Sequence, residues 1–146
     1  MNEDLIIEAR NKAGSYFKEG YNCAESIFLT FREYLAPEMD PDMVKLMTGF
    51  GCGLGEAGCM CGALTASIVA LDMKLGRTSN KEDRHQTYKY AQEFHDKFVE
   101  TFGATCCRVL NQSPFDTPEH LKTCLKITGN TGKLLMTYLQ EKDIVE

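Results

Sequence analysis

Residues 49–77 read GFGCGLGEAGCMCGALTASIVALDMKLGR. The first half crowds cysteine among glycines. The second half, from about Cys61 to Leu75, is almost uniformly apolar and stops at Gly76. A glycine there is placed to end a helix, because it accepts the backbone conformations of a C-terminal cap at no steric cost. A helix that is apolar all round has no water-facing side, so this one is read as a central, buried element. Gly49 to Gly58 becomes the loop that feeds it. The longest apolar run, Ala63 to Leu71, is interrupted by Thr65 and Ser67 and ends at Asp72, too short to cross a bilayer.

Outward from this helix the apolar spacing is helical almost everywhere. Residues 3–18 carry Leu5, Ile6, Ala9, Ala13, Tyr16 and Phe17 at a period near 3.6. Asn22 with Glu25 three positions on predicts a capping box for a second helix, whose apolar face holds Ala24, Ile27, Phe28, Phe31 and Leu35. Asp40 and Pro41 predict a short helix to about Met47. Residues 79–103 form the clearest amphipathic stretch, capped by Ser79 or Asn80, lined by Ala91, Phe94, Phe98 and Phe102, and stopped by Gly103. The run CCRVL predicts one helical turn. Thr117 and Pro118 start a helix that Gly129 is expected to end, and residues 131–143 form a last one. The expectation is an all-α, single-domain bundle over residues 1–146, with about six or seven helices and a Gly/Cys-rich loop leading into a buried central helix. No strand precedes the loop, so its glycines are not read as a dinucleotide-binding turn.

The chain has 146 residues and a net charge of −5. That charge argues against nucleic acid and against anionic membranes, both of which need concentrated positive charge. The acidic start, MNEDLIIEARNKAG, lacks the apolar core of a signal peptide, and the protein is expected in the cytoplasm. Seven cysteines are then unexpected. Structural disulfides are rare in the cytoplasm, and an odd number cannot pair completely. No CxxC occurs, so neither a thioredoxin-type dithiol nor a zinc knuckle is indicated.

On this map Cys23 and Cys61 begin helices, and Cys106 and Cys107 begin the single turn. Free N–H groups and a partial positive charge at a helix start favour the thiolate. Cys124 lies mid-helix on the face of Leu121 and Leu125 and is expected to point inward. Four cysteines from four segments can converge on one centre. Cys52, Cys59 and Cys106 are further candidate redox thiols. Gly51, Gly53, Gly55, Gly58 and Gly62 are read as a loop that lets backbone approach a bulky group and donate hydrogen bonds to sulfur. His85, His95 and His120 show no ligand spacing and are expected at the surface or its boundary. Arg77 and Arg108 are read as surface ion pairs or as charge balance for a thiolate centre.

The ordered set resembles the C_GCAxxG_C_C family, which is described as redox-active. The set comprises Cys23 in an N-terminal helix, GLGEAGCMCGALTASIVALDMKLGR, GATCCRVL and the last cysteine in HLKTCLKI. Ala66 stands where the motif expects a glycine. The resemblance implies the cysteine positions Cys23, Cys61, Cys107 and Cys124, with Cys107 preferred over Cys106 because it directly precedes Arg108 and Leu110. A similar module in split-Soret cytochromes is associated with an iron–sulfur centre. The leading expectation is therefore an iron–sulfur cluster on these four cysteines, serving electron transfer or redox sensing with an unidentified redox partner protein. A metal-free thiol–disulfide protein, a zinc site on the same cysteines and a helical interaction protein remain alternatives, as does a homodimer.

Overall fold

Asn22 shows how local chemistry sets the architecture. Its side chain accepts from the Glu25 N–H at 2.9 Å, and the Glu25 carboxylate accepts from the Asn22 N–H at 2.9 Å. This reciprocal pair satisfies donors that a helix start leaves open. It makes Cys23 the first residue of helix α2 (Cys23–Leu35). Before it, α1 (Glu3–Lys18) starts on Asn2, whose side chain accepts from the Leu5 N–H. The computed structural model describes residues 1–145. After two 3-10 turns, Pro41–Leu46 and Thr48–Phe50, come a single turn α3 (Gly51–Leu54) and α4 (Gly62–Leu75). Then follow α5 (His85–Phe102), the single turn α6 (Cys107–Leu110) and α7 (Pro118–Glu141). The fold is all-α, with no strand among the described residues.

Helix α4 is buried within the bundle, as expected, and its neighbour α2 is buried still more fully. Helix α2 packs against α1, α4 and α7, and it buries nine of its residues. Helix α4 is well buried along Ala63, Leu64, Ala66, Ser67, Ala70 and Leu71, but Ile68, Val69 and Met73 stay partly exposed. Apolarity marks a helix as buried without saying how many neighbours it has, and α2 has the more.

Three boundaries differ from the expectation. Gly129 does not end a helix: α7 runs through it to Glu141. The glycines there are contact points with α1, since a Cβ on Gly132 would lie 3.1 Å from the Ala9 carbonyl oxygen and 3.2 Å from the Ala13 Cβ. Helix α5 starts at His85, not near Ser79. Residues 77–82 instead fold into a turn in which the Arg77 guanidinium donates to the Asn80 and Glu82 carbonyls and the Thr78 N–H donates to the Glu82 carboxylate. Arg77 thus closes a loop and has no part in a thiolate centre. The Pro41 helix is a 3-10 turn.

The core joins Ile27 and Phe31 of α2 to Leu64 of α4, Phe94 and Phe98 of α5, and Tyr138 of α7. No helix is long and apolar enough to cross a membrane among the described residues.

Candidate functional site

The four cysteines picked out by the motif reach one place from four elements. Cys23 opens α2, Cys61 immediately precedes α4, Cys107 opens α6, and Cys124 lies in the second turn of α7. All four line one enclosed cavity together with Gly62 and Asn111. Its volume is about 10 Å³, close to the room that a single water needs. Cys23, Cys61 and Cys107 are 6, 5 and 5 % exposed, and Cys124 is half-buried.

Backbone hydrogen bonds hold the frame. The Cys61 N–H donates to the Thr105 carbonyl at 2.7 Å, and the Arg108 N–H donates to the Gly58 carbonyl at 3.1 Å. These tie the glycine loop to the segment that carries Cys107. Asn111 closes α6 and reaches α7: its side-chain amide donates to the His120 carbonyl at 2.9 Å and to the Cys124 Sγ at 3.2 Å. The sequence reading did not single out Asn111. Its only sequence signal is that asparagine follows a one-turn helix.

The electrostatics reverse one expectation. Helix starts were expected to favour thiolates, yet burial pushes the Cys23 thiol up to about 11 and the Cys61 thiol up to about 12, with neighbouring cysteines adding to the rise. Burial likewise raises Cys107 and Cys124. The helix-start effect is present but smaller. N–H groups of Cys52, Ala24 and Ala63 favour a Cys23 thiolate, those of Ala63 and Leu64 a Cys61 thiolate, and the Asn111 amide a Cys124 thiolate. Desolvation of a charge outweighs a few oriented dipoles. Burial thus favours the neutral thiols in the cage; a cation within it would act the other way, because metal binding deprotonates the thiols that hold it.

The glycines divide by what they touch. A Cβ on Gly62 would lie 2.7 Å from the Cys23 Sγ and 2.6 Å from the Phe50 carbonyl oxygen, and one on Gly53 would lie 2.9 Å from the Cys107 Cβ. Gly51 packs on Asn22 and Gly58 on the Arg108 side chain, while Gly55 faces solvent. Gly53, Gly55 and Gly58 also have the spacing G-x-G-x-x-G, but no strand leads into them. The stretch instead forms a left-handed turn. Cys52, Gly53, Leu54 and Gly55 have φ between 54° and 65°, and the Gly55 N–H donates to the Gly51 carbonyl at 2.8 Å.

The remaining thiols fall in two places. Cys52 is half-buried and lines, with Cys23 and Cys124, an open cleft of about 750 Å³ that adjoins the cage. Cys59 and Cys106 lie outside the cage, with their Sγ atoms 2.6 Å apart. His85 and His95 are exposed or partly so, as expected. His120 is not: it is 1 % exposed, stacked edge-on against Phe115, and its ring nitrogens lie 3.9 Å from the Cys124 Sγ. It sits one turn before Cys124 in α7, so an inward Cys124 carries it inward too.

A family model described as "Putative redox-active protein (C_GCAxxG_C_C)" matches residues 21–138. The chain is 27% identical over 144 residues to an uncharacterized protein of Archaeoglobus fulgidus, covering 92% of this chain and 95% of that one. No solved structure matches the chain.

Proposed function

Because the chain belongs to the C_GCAxxG_C_C family, we propose that Cys23, Cys61, Cys107 and Cys124 together hold an iron–sulfur cluster, used for electron transfer or redox sensing. The observation that carries this reading is the convergence of four thiols from four elements on one enclosed cavity. Four thiolates are a donor set that suits iron–sulfur clusters and zinc. No three Cys, His, Asp or Glu side chains are arranged to hold a single metal ion among the described residues. The resemblance to the cysteine-bearing module of split-Soret cytochromes, which is associated with an iron–sulfur centre, is what favours a cluster over zinc. The cavity of about 10 Å³ leaves little room as it stands. Space is adjacent, since Cys23 and Cys124 also border the 750 Å³ cleft.

When bound, such a cluster supplies a one-electron redox couple. The chain's own groups do the rest. The Asn111 amide donates to the Cys124 sulfur, and the backbone N–H groups of Cys52, Ala24 and Ala63 stabilise negative charge on Cys23. The Arg108 cation acts in the same sense on Cys107. Hydrogen bonds and positive charge near ligating sulfurs raise a cluster's reduction potential. The burial of three of the four cysteines limits contact with water. A redox partner protein belongs to this proposal as donor or acceptor.

The test is anaerobic reconstitution with iron and sulfide. The expected result is a visible absorption band with bound iron and sulfide, lost in Cys107→Ser and kept in Cys106→Ser. Absence of the band and of bound iron in the wild type overturns the reading.

A further inference from the structure

Cys59 and Cys106 lie outside both the cavity and the set of motif cysteines, yet their sulfurs are in contact at 2.6 Å. Two observations independent of the sulfurs hold them together. The Cys61 N–H bond to the Thr105 carbonyl and the Arg108 N–H bond to the Gly58 carbonyl flank the pair on both strands of chain. These bonds place residues 59 and 106 side by side whatever their side chains. Exposure is unequal: Cys59 is exposed and Cys106 half-buried. An accessible thiol beside a sheltered one is the arrangement of an attacking and a resolving cysteine.

We propose that Cys59 and Cys106 form a surface dithiol that exchanges with low-molecular-weight disulfides and is oxidised to an intramolecular disulfide. The Cys59 thiolate attacks one sulfur of the small disulfide. That molecule's S–S bond breaks, one half leaves as a thiolate, and a mixed disulfide forms on Cys59. The Cys106 thiolate then attacks the Cys59 sulfur, forms the Cys59–Cys106 bond and expels the second half as a thiolate. The pair gives up two electrons and two protons, and the small disulfide ends as two thiols. Cys59 is two residues from Cys61 and Cys106 is next to Cys107, so the oxidised pair ties together two of the four segments that form the cage. The inference does not rest on the cluster reading, since neither cysteine lines the cavity.

The experiment equilibrates the reduced full chain with glutathione buffers of increasing oxidised fraction, blocks the remaining thiols and maps proteolytic peptides by mass spectrometry. The expected result is the loss of two free thiols per chain and a peptide that joins residues 59 and 106. The joined peptide disappears in Cys59→Ser and in Cys106→Ser, and Cys106→Ser accumulates a glutathione adduct on Cys59. No joined peptide in the wild type overturns the proposal. So does a joined peptide that persists in either variant, because Cys61 and Cys107 would then carry the bond. Iron plays no part in the readout, so this outcome is separate from that of reconstitution.

Discussion

Gly62 is a single residue on which the cage depends. Its missing side chain leaves space that the Cys23 sulfur and the Phe50 carbonyl occupy at distances no Cβ tolerates, 2.7 and 2.6 Å. Gly62→Ala should therefore cost about 1–3 kcal/mol of unfolding free energy, the range for forcing a methyl into a packed site. Gly49→Ala is the control: nothing lies within 4 Å of its Cβ position, and it should stay within about 0.5 kcal/mol of wild type. Denaturant unfolding checks both, and equal losses would refute a close-packed cage. Ala66, where the family motif has a glycine, is fully buried; the methyl is accommodated there. At this scale the motif cysteines are legible because their order is written in the chain. Their protonation is not, because burial is a property of the surroundings. The inward turn of His120 has one sequence signal, its place one helical turn before the inward-facing Cys124.

Between elements, α1 and α2 are pinned by Glu33, which accepts from Lys12 Nζ at 2.8 Å and from the Tyr16 hydroxyl at 2.5 Å. Burial pushes the Glu33 carboxyl up, but the Lys12 and Tyr16 hydrogen bonds outweigh it, so its pKa lies below the usual carboxylate value. A lowered folded-state pKa means that the stabilisation is present above the unfolded value, near 4.5, and is lost as the pH falls through the folded one. The melting temperature of the wild type should fall with acid below that value, and Glu33→Gln should flatten that part of the profile. Identical acid slopes would refute the assignment. Element starts were legible where the cap is local, as with Asn22 and Glu25 or with Thr117, whose side chain accepts from the His120 N–H. The start of α5 was not, because Arg77 and Glu82 knit a turn across the candidate caps Ser79 and Asn80. The left-handed turn at Cys52 and Leu54 also went unseen. Ordinary residues there cost about 1–2 kcal/mol each, and only interleaved Gly53 and Gly55 hint at it.

Across the whole molecule, burial is uneven. Helix α2 buries nine of its 13 residues, the largest share among the long helices, and α5 only Phe94 and Phe98 of its 18. Elements with few buried contacts open first, so amide exchange of α5 should be the fastest among the long helices and that of α2 the slowest. Equal protection of the two would contradict this picture of the core. By itself the sequence determined the all-α class, the extent of α1, the capped starts of α2 and α7, and the ordered set of motif cysteines. The helices and their caps depend on residues within a few positions of one another, where helix period and capping hydrogen bonds operate, and the cysteine order is read directly along the chain. Only the tertiary structure decided that Cys23, Cys61, Cys107 and Cys124 share one cavity, that Cys59 meets Cys106, that α2 packs beside α4 and against α1 and α7, and that burial overrides the helix-start effect on the thiols. Distances between sulfurs carried on separate helices follow from how those helices pack. Packing is settled by the shared core and by small residues such as Gly62 and Gly132 at its contacts, and no local pattern records it.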